Sequence, residues 1–266
     1  MTFEYKETTH DLQTRINIHQ RYGRRDIDQW MLEVLGPAKG SKILDVGSGS
    51  GKQLLAFHNH LDGDAEITGG DINQELLEGA KLRNAELGDP WRLIPLDFDQ
   101  RFDLENDAYD IVTCCFALYY AREAGFTIGE MRRVLAKGGR LFTTGPMPEN
   151  KRLFYEIITE ATGKQIPPML GSSRYGSEIL QEMRGHFSSV EVHTFENPLE
   201  FEAVEPFLDY TRASLSEDRK LWKPFFEGGE DFERMMGSIE EVSRQRLEAE
   251  GRLVMTKVVG GYVATK

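Results

Sequence analysis

The stretch KILDVGSGSGK, Lys42 to Lys52, constrains this chain more than any other. An apolar run leads into an aspartate, and three glycines then fall within five positions. Glycine loses more backbone freedom on folding than any other residue, so the loop must need something only glycine allows, such as a close backbone approach. KILDV is short and continuously apolar, as a buried strand requires. Leu54, Leu55 and Phe57 follow the glycines on an expected helix. A strand, a glycine turn and a helix N-terminus together make a place where backbone N–H groups meet a ligand.

The spacing of the glycines excludes two familiar ligands. A dinucleotide fingerprint needs a third glycine at position 52, and Lys52 stands there. A P-loop needs four residues between its glycines and a Ser or Thr after the lysine, whereas Gln53 follows Lys52. The pattern that fits is an aspartate and then alternating glycines: Asp45, Gly47, Gly49, Gly51.

The rest of the first half has a regular rhythm. Ile27, Trp30, Met31, Val34 and Leu35 recur at helical spacing, and Gly36–Pro37 stops that helix. EITGGD, ending at Asp71, is a second strand, and Asn73 is placed to cap the helix that runs to Gly88. WRLIPLDF is a third strand and YDIVTCCFALYY a fourth. EMRRVLAKGG reads as a helix ending in glycine, and RLFTTGP as a fifth strand stopped by Pro146. Five strands alternating with helices predict a doubly wound, parallel sheet.

After Pro146 the rhythm changes to helices, with a long irregular link at KQIPPMLGSSRYG. VEVHTF reads as another strand, helices are expected around Val204–Leu215 and Phe232–Leu247, and RLVMTKVVGGYVATK as a last strand with a glycine bulge. The expected fold is therefore α/β: a doubly wound, mostly parallel seven-stranded sheet with a helical cap insertion. The expected division is an N-terminal helical segment over 1–36, a core over 37–148, cap insertions over 149–189 and 203–248, and final strands over 190–202 and 249–266.

From Asp28 to Thr144 the chain resembles the class I S-adenosylmethionine-dependent methyltransferases, which share the Rossmann-like sheet. The resemblance rests on the Asp45–Gly51 loop, on Asp71 and Asp97 ending the second and third strands, on YDIVTCCFALYY, and on RVLAKGGRLFTT. It implies S-adenosyl-L-methionine as cofactor and S-adenosyl-L-homocysteine as product. It implies that Asp45, Gly47, Ser48, Gly49 and Gly51 surround the amino-acid end of the cofactor. Asp71 would accept both ribose hydroxyls, a role a carboxylate suits because it offers about four acceptor sites. Ile72 and Phe98 would sandwich the adenine beside Asp97, and Cys115 and Phe116 would touch the cofactor from the fourth strand. In this family an N-terminal helical segment often closes over the cofactor.

Catalysis of this kind is mainly positioning, and a base is needed only when the acceptor keeps a proton. Candidate catalytic groups are His19 and Tyr22, before the first core helix, and Tyr119 after the fourth strand. Tyr120, Tyr155, Arg174 and Tyr175 are candidate acceptor contacts, with Arg174 and Arg212 able to hold a carboxylate or phosphate. Phe154, Met169, Phe207, Tyr210, Trp222, Phe225 and Phe226 supply a cap with aromatic surface for a small, partly apolar acceptor. Aminopropyl transfer, cofactor binding without turnover, and protein methylation are the alternatives.

Composition narrows the partners. With 32 Lys and Arg against 44 Asp and Glu the formal charge is −12, which argues against a nucleic-acid substrate. Cys114 and Cys115 are adjacent and do not form a disulfide framework. His58 and His60 lie two apart and face different directions, and His186 and His193 lack ligand neighbours, so no metal is expected. No apolar run approaches a membrane span of ~18 residues, and MTFEYKETTHDLQTR has no signal-peptide core. The expectation is a cytoplasmic monomer or homodimer acting on a small molecule.

Overall fold

The computed structural model describes residues 9–165, 170–217 and 229–266. Seven strands form one sheet: β1 Ser41–Val46, β2 Ala65–Asp71, β3 Trp91–Pro95, β4 Tyr109–Cys115, β5 Leu135–Pro146, β6 Val190–Phe201 and β7 Leu253–Thr265. Their order is β3-β2-β1-β4-β5-β7-β6. The first five run parallel, and β7 is antiparallel to both of its neighbours, β5 and β6. The order reverses between β1 and β4, so the loop after β1 opens at the switch point, where sheets of this kind bind ligands.

The helices are α1 Thr9–Tyr22, α2 Ile27–Leu35, α3 Lys52–His60, α4 Gln74–Glu86, α5 Ala124–Val134, α6 Arg152–Thr162, α7 Leu170–Arg174, α8 Leu180–His186, α9 Glu205–Glu217 and α10 Gly229–Glu250. A π turn, Tyr175–Ile179, joins α7 to α8. Local chemistry sets several of the ends. Asp26 Oδ1 accepts from the amides of Asp28 and Gln29 and opens α2, and left-handed Gly36 closes it. Asn73 Oδ1 accepts from Glu75 and Leu76 and opens α4.

Both faces of the sheet are buried, as the continuous apolar runs require. Adjacent residues of β1 show it: Ile43 packs with Trp30, Leu54 and Phe142 on one face, and Leu44 with Val112, Ile128 and Leu141 on the other. Fully burying one such aliphatic side chain stabilises the fold by about 1.5–3 kcal/mol. A third cluster lies in the cap, where Ile18, Phe154, Phe207, Tyr210 and Ile239 pack around Leu199, Phe201 and Met255.

That third cluster forms around an overhang. Residues 259–264 of β7 pair with both β5 and β6, whereas residues 253–258 pair with β6 alone. The β6–β7 ribbon therefore projects past the rest of the sheet at the carboxyl ends of β1–β5, and α1, α6, α9 and α10 wrap around it.

Three expectations are corrected. The helix before β5 ends at Val134, not in the glycines, and Leu135 already pairs with Tyr109; a register shift before the Ile111–Arg140 pair absorbs the extra residues. YDIVTCCFALYY is strand only to Cys115, and Leu118–Tyr120 is a 3₁₀ turn. The last strand has no glycine bulge, because its register runs unbroken through Gly260 and Gly261. Those glycines make room instead. A Cβ on Gly260 would lie 2.6 Å from Met147 Sδ, and one on Gly261 2.8 Å from the Trp30 ring.

Candidate active site

The glycine loop crosses the end of β2. The amides of Gly47 and Ser48 both donate to the Gly70 carbonyl, at 2.7 and 3.0 Å. Gly47, Gly49 and Gly51 have φ of 72°, 54° and 79°, the left-handed region that favours glycine. A Cβ on Gly47 would lie 2.7 Å from the Ala117 methyl group, so this position also needs glycine for space. Ser48 is buried, and its Oγ has no hydrogen-bond partner among the described residues. Such an orphaned donor at a ligand loop fits a polar group arriving there.

Asp71, at the end of β2, is 9% exposed. Its Oδ2 accepts from the Gly49 amide and its Oδ1 from the Asn73 amide, both at 2.8 Å. Each oxygen thus has one acceptor site used and about one left, the pattern that two vicinal hydroxyls need. Ile72 beside it is 61% exposed, an unusual place for so large an apolar side chain. Across the loop the half-buried Phe98 ring reaches within 3.9 Å of where a Gly47 Cβ would stand. Asp97 Oδ1 accepts from the Asp99 amide in a tight turn that holds Phe98.

Asp45 is placed differently from an open contact. It is 1% exposed, beneath the loop, and the Thr113 hydroxyl donates to its Oδ1 at 2.6 Å. Burial pushes its carboxyl up to about 7, with the Thr113 bond working downward and the nearby Asp71 charge upward. In this geometry Asp45 braces the loop from below. Cys115 lies in the apolar layer with Met31, Leu35 and Phe57, and burial raises its thiol well above the ordinary range. Its neighbour Phe116, left-handed at a φ of 56°, packs against the same layer.

A second group gathers on the cap side of Phe116. Lys257 of β7 holds its Nζ 5.4 Å from the Phe116 ring centre. Lys151, just before α6, holds its Nζ 5.2 Å from the Phe154 ring centre and 5.7 Å from that of Tyr210. His19 of α1 meets the Tyr210 ring edge-on at 5.5 Å. Burial, and then the charges of Lys257, Lys151, Arg15 and Lys52, hold the His19 ring well below its usual titration range, so it is neutral. Its Nδ1 is buried without a hydrogen-bond partner among the described residues. Lys52, at the start of α3, pairs with Asp28 of α2 at 2.9 Å.

Two asparagines fix this group in place. Asn197 of β6 accepts from the amides of Arg24 and Arg25 and donates to the Arg25 carbonyl, so it fastens the α1–α2 turn to the ribbon. Asn150 Oδ1 accepts from the Val258 amide, and the Lys151 amide donates to the Thr256 carbonyl. The start of α6 is thereby tied beside Lys257.

Other expected contacts lie elsewhere. Tyr175 is fully buried, stacked on Tyr262 at 4.7 Å, and its hydroxyl donates to the Thr143 carbonyl. It has no surface left for an acceptor. Arg174 donates to the carbonyls of Tyr119, Ala121 and Arg122 and pairs with Glu178, so it clamps the 3₁₀ turn after β4. Arg212 pairs with Glu233 at the surface. Tyr22 packs on Phe201 in the cap core, Tyr155 on Phe154, and Tyr119 on Tyr120 and Tyr175. Met169, Trp222, Phe225 and Phe226 lie outside the described residues. Lys151 and Lys257 were not foreseen. The sequence signal for Lys257 was a lone lysine inside the apolar run VMTKVV; Lys151 had none.

A family described as a methyltransferase domain matches residues 43–139, from β1 into β5. The chain is 25% identical over 179 residues to the ubiquinone/menaquinone biosynthesis C-methyltransferase UbiE of Desulfotalea psychrophila, covering 67% of each. It is 28% identical over 168 residues to a demethylmenaquinone methyltransferase of Staphylococcus aureus, covering 60% of this chain and 67% of that one. Among solved structures, the YcgJ protein of Bacillus subtilis has a similar fold, with a TM-score of 0.56, 16% identity and coverage of 90% of this chain and 97% of that one. So does phosphoethanolamine N-methyltransferase 2 of Haemonchus contortus bound to S-adenosyl-L-methionine, with a TM-score of 0.54, 15% identity and coverage of 96% and 57%. Loop, strand order and relatives agree: residues 43–139 match a methyltransferase domain, and the chain is similar to S-adenosylmethionine-dependent methyltransferases.

Proposed function

We propose that this methyltransferase encloses a small-molecule acceptor between the glycine loop and the helices α1, α6 and α9. The Gly47–Gly51 loop and the N-terminus of α3 hold the amino-acid end of the cofactor. Asp71 holds the ribose, and Ile72, Asp97 and Phe98 hold the adenine. S-adenosyl-L-methionine supplies an electrophilic methyl group on a sulfonium. The chain supplies orientation and exclusion of water, which lower a barrier of this type by up to about 7–11 kcal/mol. His19, neutral and with Nδ1 uncommitted, takes the proton of an acceptor that carries one.

The observation that carries this reading is the Asp71 carboxylate. It is fixed by two loop amides and keeps acceptor capacity on both oxygens, next to an exposed Ile72. Two buried free thiols, Cys114 and Cys115, support work in a reducing compartment such as the cytoplasm. Among the described residues no helix is long and apolar enough to cross a membrane.

The test is incubation of the purified chain with methyl-labelled cofactor and fractionated metabolite extract, with a demethylated quinol as a separate arm because similar proteins are named as a ubiquinone/menaquinone biosynthesis C-methyltransferase and a demethylmenaquinone methyltransferase. Label should move into a small-molecule fraction, and calorimetry should show S-adenosylhomocysteine binding that NAD does not displace. Label found in protein alone, or displacement by NAD, would overturn the reading.

A further inference from the structure

β6 is an outer strand of the sheet and pairs with β7 alone. Its register with β7 is unbroken, so the N–H and C=O groups of alternate residues turn toward β7 and away from it. Two observations fix which residues turn away. The Glu196 carbonyl accepts from the Arg25 side chain at 3.0 Å, on the outer side. Val258, the β7 partner of Glu196, commits its amide to Asn150 and its carbonyl to the Met147 amide, on the side away from β6. Counting back in twos, Val190, Val192 and Thr194 present their main-chain groups outward, and among the described residues nothing bonds to them there.

This open stretch is bounded at both ends. The strand begins at Val190, and at Glu196 the Arg25 side chain and the turn held by Asn197 close the edge. At its middle Val192 is 47% exposed. Sheets ordinarily blunt an edge with a short strand, a proline or charge. The opposite edge does so, since β3 is five residues long and ends in Pro95. In β6 the proline, Pro198, lies beyond the Arg25 plug. The open stretch instead carries Glu191 and His193 on either side of Val192, and these two share one face of the strand.

We propose that this edge pairs with its own counterpart in a second copy of the chain, antiparallel about a two-fold axis at Val192, so that the two sheets join. Three registers place outward-facing residues opposite one another, with the axis at Glu191, Val192 or His193. An axis at Glu191 sets carboxylate against carboxylate, which is destabilising. An axis at His193 runs Val190 into the Arg25 plug of the other copy. An axis at Val192 aligns Val190 with the partner's Thr194 and Glu191 with the partner's His193. It uses all three open residues, in about six main-chain hydrogen bonds. Glu191 Oε2 lies 3.5 Å from Nε2 of its own His193, so two carboxylates and two imidazoles gather on one face of the joined sheet. The two-fold uses each edge once and closes the contact, so no filament grows. The surface owes nothing to the methyl-transfer reading.

Sedimentation equilibrium of the full chain over about 1–200 µM should show a weak dimer, with a Kd of about 1–100 µM, as so small an interface allows. Val192→Pro removes an outward N–H and no bond to β7. Its melting temperature in dilute solution should therefore stand, while dimerisation weakens by at least about tenfold. Glu191→Lys and His193→Glu should each weaken the dimer by about tenfold, and the double variant should recover it. Amide exchange should slow with concentration at Val190, Val192 and Thr194 and stay constant at Glu191 and His193, which already bond to β7. A monomer throughout that range overturns the proposal. So does a dimer that is indifferent to Val192→Pro, which would place the contact elsewhere, or a double variant as weak as the singles, which would exclude this register.

Discussion

The Gly49 amide donates to Asp71 Oδ2 at 2.8 Å, and this bond ties the glycine loop to the end of β2. The same carboxylate takes the Asn73 amide on its other oxygen, so both oxygens already face donors. Asp71→Asn can satisfy only one of those amides and turns an NH₂ toward the other. Asp71→Ala loses both bonds and the ribose contacts. Charge-assisted hydrogen bonds contribute about 1.5–3 kcal/mol each, so Asp71→Ala should weaken S-adenosylhomocysteine binding by at least about tenfold, with Asp71→Asn close behind. Calorimetry checks both, and unchanged affinity would remove Asp71 from the cofactor site.

Asp45 predicts a pH dependence of stability. The folded chain keeps its proton up to about 7, whereas an exposed aspartate releases it near 4. Between those values the native state binds more protons than the unfolded one, so this group's contribution falls as pH rises through that window. Asp45→Asn removes the effect while still accepting from Thr113. Urea unfolding at pH 5 and pH 8 should show the variant gaining on the wild type at the higher pH. Parallel curves would mean that Asp45 is ionised throughout.

His19 separates chemistry from binding. His19→Gln keeps a polar group beside Tyr210 and removes the proton acceptor. For an acceptor that must lose a proton, turnover should fall by about 10²-fold or more, with S-adenosylhomocysteine affinity unchanged. The acid limb of the wild-type rate profile should also be missing in the variant. An unaltered profile would leave His19 as packing for Tyr210.

Asn197 is a positioning residue. Asn197→Ala strips acceptors from the Arg24 and Arg25 amides, at a cost of about 1–3 kcal/mol for each group left unsatisfied. The α1–α2 turn should loosen, with faster hydrogen exchange over residues 19–28 and little change in β1–β4. Because α1 carries His19, turnover should fall more than cofactor affinity. Exchange spread evenly over the chain would point to global destabilisation instead.

The half of the site that holds the cofactor was legible because its signals are local. Strand, glycine turn, Asp71 and the Asn73 cap lie within 33 consecutive positions, 41 to 73, and each follows from backbone preference or capping. The acceptor side was not legible in this way. Lys151 and Lys257 are neighbours only because β7 returns antiparallel and overhangs the sheet, a juxtaposition that no short window contains. Tyr175 read as part of an irregular link, yet it fills the space that Gly145 leaves open. Arg174 read as a solvated or ligand-holding cation, but the carbonyls it clamps belong to a turn 53 to 55 residues away. The missed end of α5 has a similar cause: Leu135 is drawn into pairing with Tyr109, which outweighs the helical pattern of VLAKGG.

The overhanging β6–β7 ribbon has a consequence for how such a chain diversifies. Its ladder is made of main-chain bonds, which are indifferent to side-chain identity, and its far half is clad by α1, α6, α9 and α10, which pack on the ribbon and on one another. Those helices can be exchanged, lengthened or re-aimed along the ribbon as cladding on a beam. The seat for the methyl donor stays in register at the other end, so a new acceptor can be adopted without the donor site having to be rebuilt.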